Sequence, residues 1–178
     1  MEIYVREGLC MRSLTPENAA EVFGAADKNR AYLRRWLPWV DGTDSPAVTE
    51  NVIANWKKQA EAGTDHTFGI FRDGKYIGNI GLHDINRHNS SGMIGYWLAE
   101  DAQGGGVMTD CVRSLTDYGF NNLSLNRIYI HCAEKNTKSR AVPERLGFAL
   151  EGVLQDGECL YGEYFDLCVY GMVKRNWI

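Results

Sequence analysis

The chain has 178 residues, 44% of them hydrophobic and 24% charged, which is the size and composition of a single globular domain over residues 1–178. The 19 basic and 23 acidic residues give a net charge of −4, which argues against direct nucleic-acid binding and favours a basic amine or a basic protein tail as partner. The five cysteines are scattered and form no Cys-x-x-Cys pair, which disfavours a disulfide framework and a zinc site. Because no apolar run approaches the roughly 20 residues of a membrane span and no signal peptide is evident, we expect a cytoplasmic protein.

The first third of the sequence predicts a short two-stranded start followed by helices. Residues 4–6 and 9–14 have the composition of two strands joined by a tight turn. Thr15-Pro16 then supplies an N-cap and a proline for the first turn of a helix, and Ser45-Pro46 does the same for a later helix. Between these two starts, residues 32–39 are predicted to form a further helical piece.

The middle of the chain changes to the alternating or continuous apolar pattern of strands. Residues 68–71 and 76–82 flank Asp73-Gly74, a typical two-residue hairpin turn, and residues 93–98 add a third antiparallel strand. A cluster of glycines follows, and then an amphipathic helix is predicted over residues 107–123.

The last third predicts further strands around one short helix. Residues 125–131 are a strand, residues 136–146 are a helix, and residues 148–154 and 163–173 are two strands separated by a turn at Tyr161-Gly162. The fold class is therefore α/β (α+β), with a central mixed, mostly antiparallel sheet flanked by helices.

The most informative segment is Gln103-Gly104-Gly105-Gly106-Val107-Met108-Thr109, which joins a predicted strand to a predicted helix. Three glycines let main-chain N–H groups converge, and a helix start adds unpaired N–H donors and the positive end of its dipole. An anion is expected there. The segment lacks the Gly-x-Gly-x-x-Gly pattern of dinucleotide folds and the Gly-Lys-Ser/Thr ending of a nucleoside-triphosphate loop.

Other motifs accompany this turn in a specific combination. They are Arg34-Arg35-Trp36-Leu37-Pro38-Trp39, Ile94-Gly95-Tyr96-Trp97-Leu98, Asn136-Thr137-Lys138-Ser139-Arg140-Ala141-Val142, Leu146-Gly147-Phe148 and Glu151-Gly152. With them, nearly the whole chain resembles the GNAT superfamily of N-acetyltransferases, in its branch of ribosomal-protein N-terminal acetyltransferases. The resemblance implies a GNAT fold, with acetyl-CoA as the acetyl donor.

The resemblance also implies where the cofactor and the acceptor bind. The pantetheine arm is expected along the strand before the turn, and the pyrophosphate on the main-chain amides of the turn. The expected cofactor-binding residues are Tyr96, Trp97, Leu98, Gln103, Gly104, Gly105, Gly106, Val107, Met108, Thr109 and Asn136. The expected substrate-binding residues are Trp36, Leu37, Trp39 and Glu100. Met108 stands where the family has a small residue, and Asn136 is equally suited to cap a helix.

Acetyl transfer to an amine requires a base for the amine and a proton for the leaving thiolate. Many members of the superfamily carry a tyrosine as the acid at the place that Pro143 occupies here. Ser139, one turn earlier, matches a serine of the ribosomal branch and is expected to protonate or hydrogen-bond the thiolate, or else to serve only as a helix-start hydroxyl. Glu158 matches a carboxylate of that branch and is the expected base, with Glu100 and Asp101 as alternatives.

The sequence also bears on two other kinds of site, a catalytic cysteine and a metal centre. Cys111 follows the glycine turn, where a helix dipole would favour a covalent acetyl-cysteine route, although its position in the apolar stripe favours a core role. His83, His88 and His131 lack metal-ligand spacing, so no metal is expected.

The leading hypothesis is an acetyl-CoA-dependent N-acetyltransferase that acts on the N-terminal α-amine of a ribosomal or other protein by direct attack in a ternary complex. One alternative acceptor is a small amine such as a polyamine, an amino sugar or an antibiotic. Another alternative is a non-catalytic acyl-CoA-binding module. The predicted sheet leaves edge strands that make a homodimer plausible.

Overall fold

The computed structural model describes all 178 residues and contains eight strands and five α-helices. The strands are β1 (Glu2–Arg6), β2 (Leu9–Arg12), β3 (His66–Arg72), β4 (Lys75–Asn86), β5 (Ser91–Leu98), β6 (Arg127–Ala133), β7 (Ala149–Leu160) and β8 (Glu163–Val173). The helices are α1 (Ala19–Lys28), α2 (Arg30–Leu33), α3 (Pro46–Ala62), α4 (Val107–Asn121) and α5 (Thr137–Arg145). None of these helices combines the length and the apolar character needed to cross a membrane.

All eight strands belong to one sheet in the order β1-β2-β3-β4-β5-β6-β8-β7. Every neighbouring pair is antiparallel except β5 and β6, which run parallel. The predicted mixed, mostly antiparallel sheet is therefore confirmed. The two predicted hairpin turns also form, since Asp73-Gly74 and Tyr161-Gly162 all have positive φ angles, as two-residue hairpins of right-twisted strands require.

The parallel pair β5 and β6 separates soon after it begins. Its register covers only Ser91 to Met93 against Arg127 to Tyr129. Beyond that point β5 remains paired with β4 as far as Leu98, while β6 remains paired with β8 as far as Ala133. A V-shaped gap therefore opens in the middle of the sheet, and main-chain groups of β5 face it without a neighbouring strand.

The two faces of the sheet are covered by different helices. Helix α4 packs on one face, where Val112, Leu115 and Phe120 join strand residues in a core cluster of 28 buried residues. Helices α1 and α3 pack on the other face, where Val22 and Ile53 belong to a cluster of 6 buried residues. Successive side chains of a strand point to opposite faces of the sheet. The same strands therefore contribute residues to the larger core on one face and to the smaller cluster on the other.

The segment predicted as a helical piece over residues 32–39 is the main difference from the sequence-based expectation. The helix α2 ends at Leu33, and a 3-10 turn begins at Pro38. Leu37 has an extended φ of −131°, as expected for a residue that precedes proline. The prediction of one continuous helical piece was wrong because Pro38 forces the chain out of the helix. Strand β7 is also longer than predicted, ending at Leu160 and interrupted by an irregularity between Leu154 and Glu158.

Candidate active site

The glycine turn has the geometry of an anion cradle. Gly104, Gly105 and Gly106 have φ angles of 86°, 58° and 74°, a conformation that residues with side chains rarely adopt. No atom lies within 4 Å of a Cβ added to Gly104 or Gly105, so the turn is open on its outer side. The 15 residues of α4 start directly after it, and their first N–H groups and dipole face the same opening.

Side chains from three distant elements hold this turn in place. Arg6 of β1 donates to the Gly105 carbonyl at 3.0 Å and pairs with the Asp110 carboxylate at 3.0 Å. The Gln103 amide nitrogen donates to the Tyr32 hydroxyl, and the Gln103 amide oxygen accepts from Lys138 at 3.0 Å. The turn is therefore attached to β1, α2 and α5 as well as to its own helix.

A cleft of about 950 Å³ begins at the turn and occupies the gap between β5 and β6. One wall is β5, and the other is formed by β6 and α5. All eleven residues expected to bind the cofactor line this cleft. It is also lined by Ser139, Glu158, Trp36, Leu37 and Glu100. Residues far apart in the chain therefore meet around one space.

Asn136 caps the start of α5 beside the cleft. Its side-chain oxygen accepts a hydrogen bond from the main-chain N–H of Ser139 at 3.3 Å. The capping role that Asn favours is thus present. Because this bond uses only the amide oxygen, the amide nitrogen remains a donor on the cleft side.

Ser139 is at the centre of a small polar cluster. Its hydroxyl donates to the Tyr96 oxygen at 3.3 Å, and the Cys132 sulfur lies 3.3 Å from the same hydroxyl. The Tyr96 hydroxyl donates in turn to the main-chain carbonyl of Ser139 at 2.9 Å. The Tyr96 phenol of β5 and Ser139 of α5 are therefore joined across the gap by two hydrogen bonds, one to the serine hydroxyl and one to its carbonyl.

Pro143 explains why this carbonyl accepts from a side chain. In an α-helix the carbonyl of residue 139 would accept from the N–H of residue 143, and proline has no N–H. The Tyr96 hydroxyl takes the place of that donor. Pro143 stands where many members of the family have a tyrosine, so α5 lacks that tyrosine. The same proline leaves the Ser139 carbonyl free to accept a hydrogen bond from a different tyrosine, Tyr96 of β5.

Burial shifts the pKa of the groups around the cleft. It raises the pKa of the Tyr96 phenol and raises the pKa of the Cys132 thiol to about 11, so both groups keep their protons near neutral pH. Burial also raises the pKa of the half-buried Glu158 carboxyl, which makes its carboxylate a stronger base than an exposed one. Proton donors and a proton acceptor consequently line the same space.

The expected substrate-side residues divide between two cavities. Trp36 and Glu100 line the main cleft, and Leu37 lines both that cleft and a second cavity of about 350 Å³. Trp39 lines only the second cavity, where the centroid of its ring lies 5.9 Å from the centroid of the Trp97 ring. The sequence could not distinguish these two spaces.

Several alternative site residues lie elsewhere. Asp101 is exposed, pairs with Lys28 at 2.8 Å and does not line the cleft, although its neighbour Glu100 does. Cys111 is fully buried, and burial raises the pKa of its thiol to about 12, which disfavours the thiolate that a covalent route needs.

Met108 is 8% exposed and packs in the main core, so its side chain fills space beneath the helix start. The structure contains no group of three or more His, Cys, Asp or Glu side chains that could hold a metal ion.

The sequence-based reasoning missed several residues that line the cleft. Tyr32, Lys138 and Arg145 lie at or near the glycine turn, and His131 and Cys132 lie on β6. The spacing of Lys138 and Arg145, two helical turns apart, is a signal that both side chains share one face of α5. No comparable local signal joins Tyr32 to Gln103, because they belong to different elements.

The chain matches the acetyltransferase (GNAT) domain family over residues 8–149. It therefore belongs to this family, and its divided sheet and glycine turn are those of an N-acetyltransferase that uses acetyl-CoA. The resemblance inferred from the sequence is confirmed.

The names of individual relatives state a narrower activity than the family description does. YdaF of Bacillus subtilis (strain 168), by name a candidate ribosomal N-acetyltransferase, is 36% identical over 97% of this chain and 95% of its own length. The ribosomal-protein-serine acetyltransferase of Escherichia coli (strain K12) is 29% identical over 96% of each chain. The solved structure of RimL, a ribosomal alpha-N-protein acetyltransferase in complex with coenzyme A as a cysteine disulfide, has a TM-score of 0.94 and 27% identity over 97% of this chain and 98% of RimL.

Proposed function

We propose that this N-acetyltransferase acetylates the N-terminal α-amine of a protein, and that a ribosomal protein is its acceptor. The relatives named for this activity cover almost the whole chain and support the proposal. The chemistry supports it too. At pH 7 the removal of a proton costs about 1.4 kcal/mol for an α-amine of pKa near 8, and nearly 5 kcal/mol for a lysine amine of pKa near 10.4. A single carboxylate base such as Glu158 is suited to the smaller cost.

In this proposal the residues of the cleft hold acetyl-CoA as the family resemblance implies. The open amides of Gly104 to Gly106 and the start of α4 are suited to the pyrophosphate. The main chain from Tyr96 to Leu98, which pairs with β4 but has no partner on the β6 side, is suited to the pantetheine arm. The free amide nitrogen of Asn136 is suited to an arm carbonyl. Acetyl-CoA, when bound, supplies a thioester whose acyl group a neutral amine can attack.

The proposed proton transfers use groups on both sides of the gap. Glu158 accepts the proton of the incoming ammonium group, because its raised pKa strengthens it as a base. When the thioester is bound, the Ser139 hydroxyl turns its single proton from the Tyr96 oxygen toward the departing sulfur. Tyr96 orients Ser139 through the bond to its carbonyl. Tyr96 is thus a positioning residue, while Glu158 and Ser139 are the proposed catalytic residues. Trp36, Leu37, Trp39 and Glu100 remain the proposed acceptor-side residues.

The observation that carries this proposal is the meeting of Glu158 and Ser139 in the cleft that starts at the glycine turn. The test is incubation of a cell lysate with the protein and isotope-labelled acetyl-CoA, followed by mass spectrometry. We expect label on N-terminal α-amines of one or a few proteins. Label only on lysine side chains or on small amines would contradict the proposed acceptor. Absence of label on any of these, together with tight acetyl-CoA binding, would support a non-catalytic module instead.

We further propose that the protein is a cytoplasmic homodimer. The edge strand β7 supports this, since it is exposed on both faces and presents Leu150, Val153 and Leu154, with exposed fractions of 44% to 52%. An uncovered edge strand with apolar side chains is a surface that proteins normally pair or cover. Light scattering after size-exclusion chromatography tests this point, and a monomeric mass at micromolar concentration would contradict it.

A further inference from the structure

The second cavity lies on the sheet face covered by α1 and α3. Val22 and Ala26 of α1 and Thr49, Val52 and Trp56 of α3 form one wall. Strand residues form its floor, and the segment that carries Leu37, Trp39 and Thr43 forms the other wall. Its volume of about 350 Å³ is at the small end of the range for ligand sites.

This cavity adjoins the main cleft. Leu37, Gly95, Tyr96 and Trp97 line both spaces. The strand that separates them is β5, along which the pantetheine arm is proposed to lie. A group that enters the second cavity therefore stays next to the place where the acetyl group is transferred.

Two glycines opposite each other leave room for a histidine ring in the floor. Gly81 of β4 and Gly95 of β5 are cross-strand partners, and both line the cavity. A Cβ on Gly81 would lie 2.7 Å from the Nε2 atom of His83, so no larger residue fits without displacing that ring. A Cβ on Gly95 would also meet this ring, at 3.3 Å, so the His83 ring occupies the space above the glycine pair and forms part of the cavity floor.

Two polar groups in the cavity have unused hydrogen-bonding capacity. The Thr67 hydroxyl is buried and has no hydrogen-bond partner. Asn79 is only 7% exposed, and its amide oxygen accepts from the Tyr76 hydroxyl at 2.7 Å while its amide nitrogen makes no hydrogen bond. Only the Thr67 hydroxyl is a buried side-chain polar atom without a partner, and such an atom costs free energy. Together with the unused Asn79 amide nitrogen in an otherwise apolar cavity, it points to a ligand that brings one or two polar groups of its own.

The charge of the lining limits what this ligand is. The residues around the cavity include no Lys, Arg, Asp or Glu, and most of them are aliphatic or aromatic. A second ammonium group, as in a polyamine, would lose its hydration there without gaining a carboxylate. An uncharged apolar group is the ligand that fits.

We propose that this cavity binds the side chain of the acceptor's first residue, and that this residue is uncharged, apolar and larger than alanine or serine. The inference rests on the proposed function, since it takes the acceptor to be a peptide N-terminus. Methionine, leucine and phenylalanine have side chains of this kind. The Thr67 hydroxyl and the Asn79 amide nitrogen then pair with main-chain groups of the same peptide.

The first test compares hexapeptides that differ only in the first residue. We expect kcat/KM for peptides that begin with methionine, leucine or phenylalanine to exceed that for serine or alanine by about tenfold or more, since each methylene in an apolar pocket contributes roughly that much. Peptides that begin with glutamate or lysine should be the poorest. Equal rates for methionine and serine would overturn the inference while leaving N-terminal acetylation intact, whereas no acetylation of any peptide would overturn the proposed function and the inference with it.

Two variants of α3 test the location. Val52 lines the cavity and is 38% exposed, so Val52→Trp adds volume there without rebuilding the core. We expect it to remove the preference for methionine over serine. Asn55→Trp is the matched control, because Asn55 is exposed on the same helix and does not line the cavity. An equal loss for both peptides in Val52→Trp, or the same change in Asn55→Trp, would overturn the assignment.

Thr67→Val supplies a test that does not depend on filling the cavity. It removes the unpaired hydroxyl and keeps the shape, so the melting temperature should stay equal or rise. We expect the KM for the methionine peptide to rise several-fold while the KM for acetyl-CoA is unchanged, as loss of one hydrogen bond predicts. An unchanged peptide KM would mean that Thr67 does not contact the acceptor, and would count against the proposed binding mode.

Discussion

The cleft that starts at the glycine turn and the second cavity, which lie on opposite sides of β5, use different kinds of chemical groups. The turn at Gly104 to Gly106 offers main-chain amides, and the side chains around it have hydrogen-bond partners of their own. The second cavity offers apolar side chains, with an unpaired hydroxyl at Thr67 and an unpaired amide nitrogen at Asn79. Main-chain recognition suits a cofactor that never changes, and it tolerates replacements such as Met108. Side-chain recognition suits an acceptor that differs between relatives, so that side should set specificity.

The largest expected effect is at the glycine turn. Gly106→Glu places a negative side chain at the proposed phosphate site. It also requires glutamate to adopt the left-handed backbone conformation of Gly106, which residues with side chains disfavour. We expect acetyl-CoA affinity to fall by at least about a hundredfold, which is near 2.7 kcal/mol. Isothermal titration calorimetry with acetyl-CoA measures this change directly.

Gly162→Glu is the control for that variant. Gly162 also has a positive φ, of 83°, and no atom lies within 4 Å of an added Cβ, but it is in the β7–β8 turn outside the cleft. Both variants introduce the same residue in a left-handed conformation, so both carry similar backbone strain, while only the Gly106 variant adds its carboxylate near Asp110 and the start of α4. If the two lost acetyl-CoA affinity equally, the effect would come from backbone strain and the cradle assignment would be wrong.

A smaller effect is expected for Glu158→Gln. Turnover with a peptide acceptor should fall roughly tenfold to a hundredfold at pH 7 and less at pH 9, because an α-amine of pKa near 8 is already mostly neutral at the higher pH. Initial rates between pH 6.5 and 9.5 give the profile. A loss that is uniform with pH would mean that Glu158 orients the acceptor instead of accepting its proton.

The same variant should be more stable than the original protein at neutral pH. Burial raises the pKa of Glu158 in the folded state, so ionisation of its carboxyl opposes folding above that pKa. Replacement by glutamine removes this cost. We therefore expect a higher melting temperature at pH 7, and a difference that shrinks as the pH falls below the raised pKa and is lost well below about 4, where the carboxyl is protonated in both states. A lower melting temperature at pH 7 would contradict the burial argument.

The sequence could predict the cofactor side of the protein better than the acceptor side. The glycine turn, the start of α4 and the hairpin at Asp73-Gly74 depend on neighbouring residues, whose conformational preferences are visible in the sequence. The second cavity joins residues between Val22 and Trp97 that no local pattern connects. The interruption of the helical segment before Pro38 was predictable in principle, since proline restricts the backbone of the residue before it. The spacing of the aromatic residues around Pro38, however, is also that of an amphipathic helix.

The bond between Tyr96 and Ser139 is another feature that local patterns do not reveal. It spans 43 residues and depends on the missing N–H of Pro143. Tyr96→Phe should lower kcat about threefold to tenfold with little change in the KM for acetyl-CoA, and should reduce stability by about 1 to 3 kcal/mol because the Ser139 carbonyl loses its donor. Kinetics and urea unfolding test both parts.

Ser139→Ala and the double variant complete that test. If Tyr96 acts through Ser139, the kcat of the double variant should resemble that of Ser139→Ala alone, because the hydroxyl that Tyr96 orients is already gone. Losses that multiply would indicate that the Tyr96 phenol acts independently of Ser139, contrary to the proposed positioning role.

The smallest expected effect concerns Arg6, which supports the turn from β1. Its contacts with the Gly105 carbonyl and the Asp110 carboxylate are at 3.0 Å, but the two charged side chains are 48% and 38% exposed. An exposed ion pair contributes at most about 1 kcal/mol, so Arg6→Met should raise the KM for acetyl-CoA no more than about fivefold. High salt should reduce the difference between the two proteins, since it screens the pair in the original. A loss of acetyl-CoA affinity as large as that of Gly106→Glu would show that the conformation of the turn depends on β1 and not on its own glycines. The cofactor side would then depend on side chains as the acceptor side does, and the contrast between the two would no longer hold.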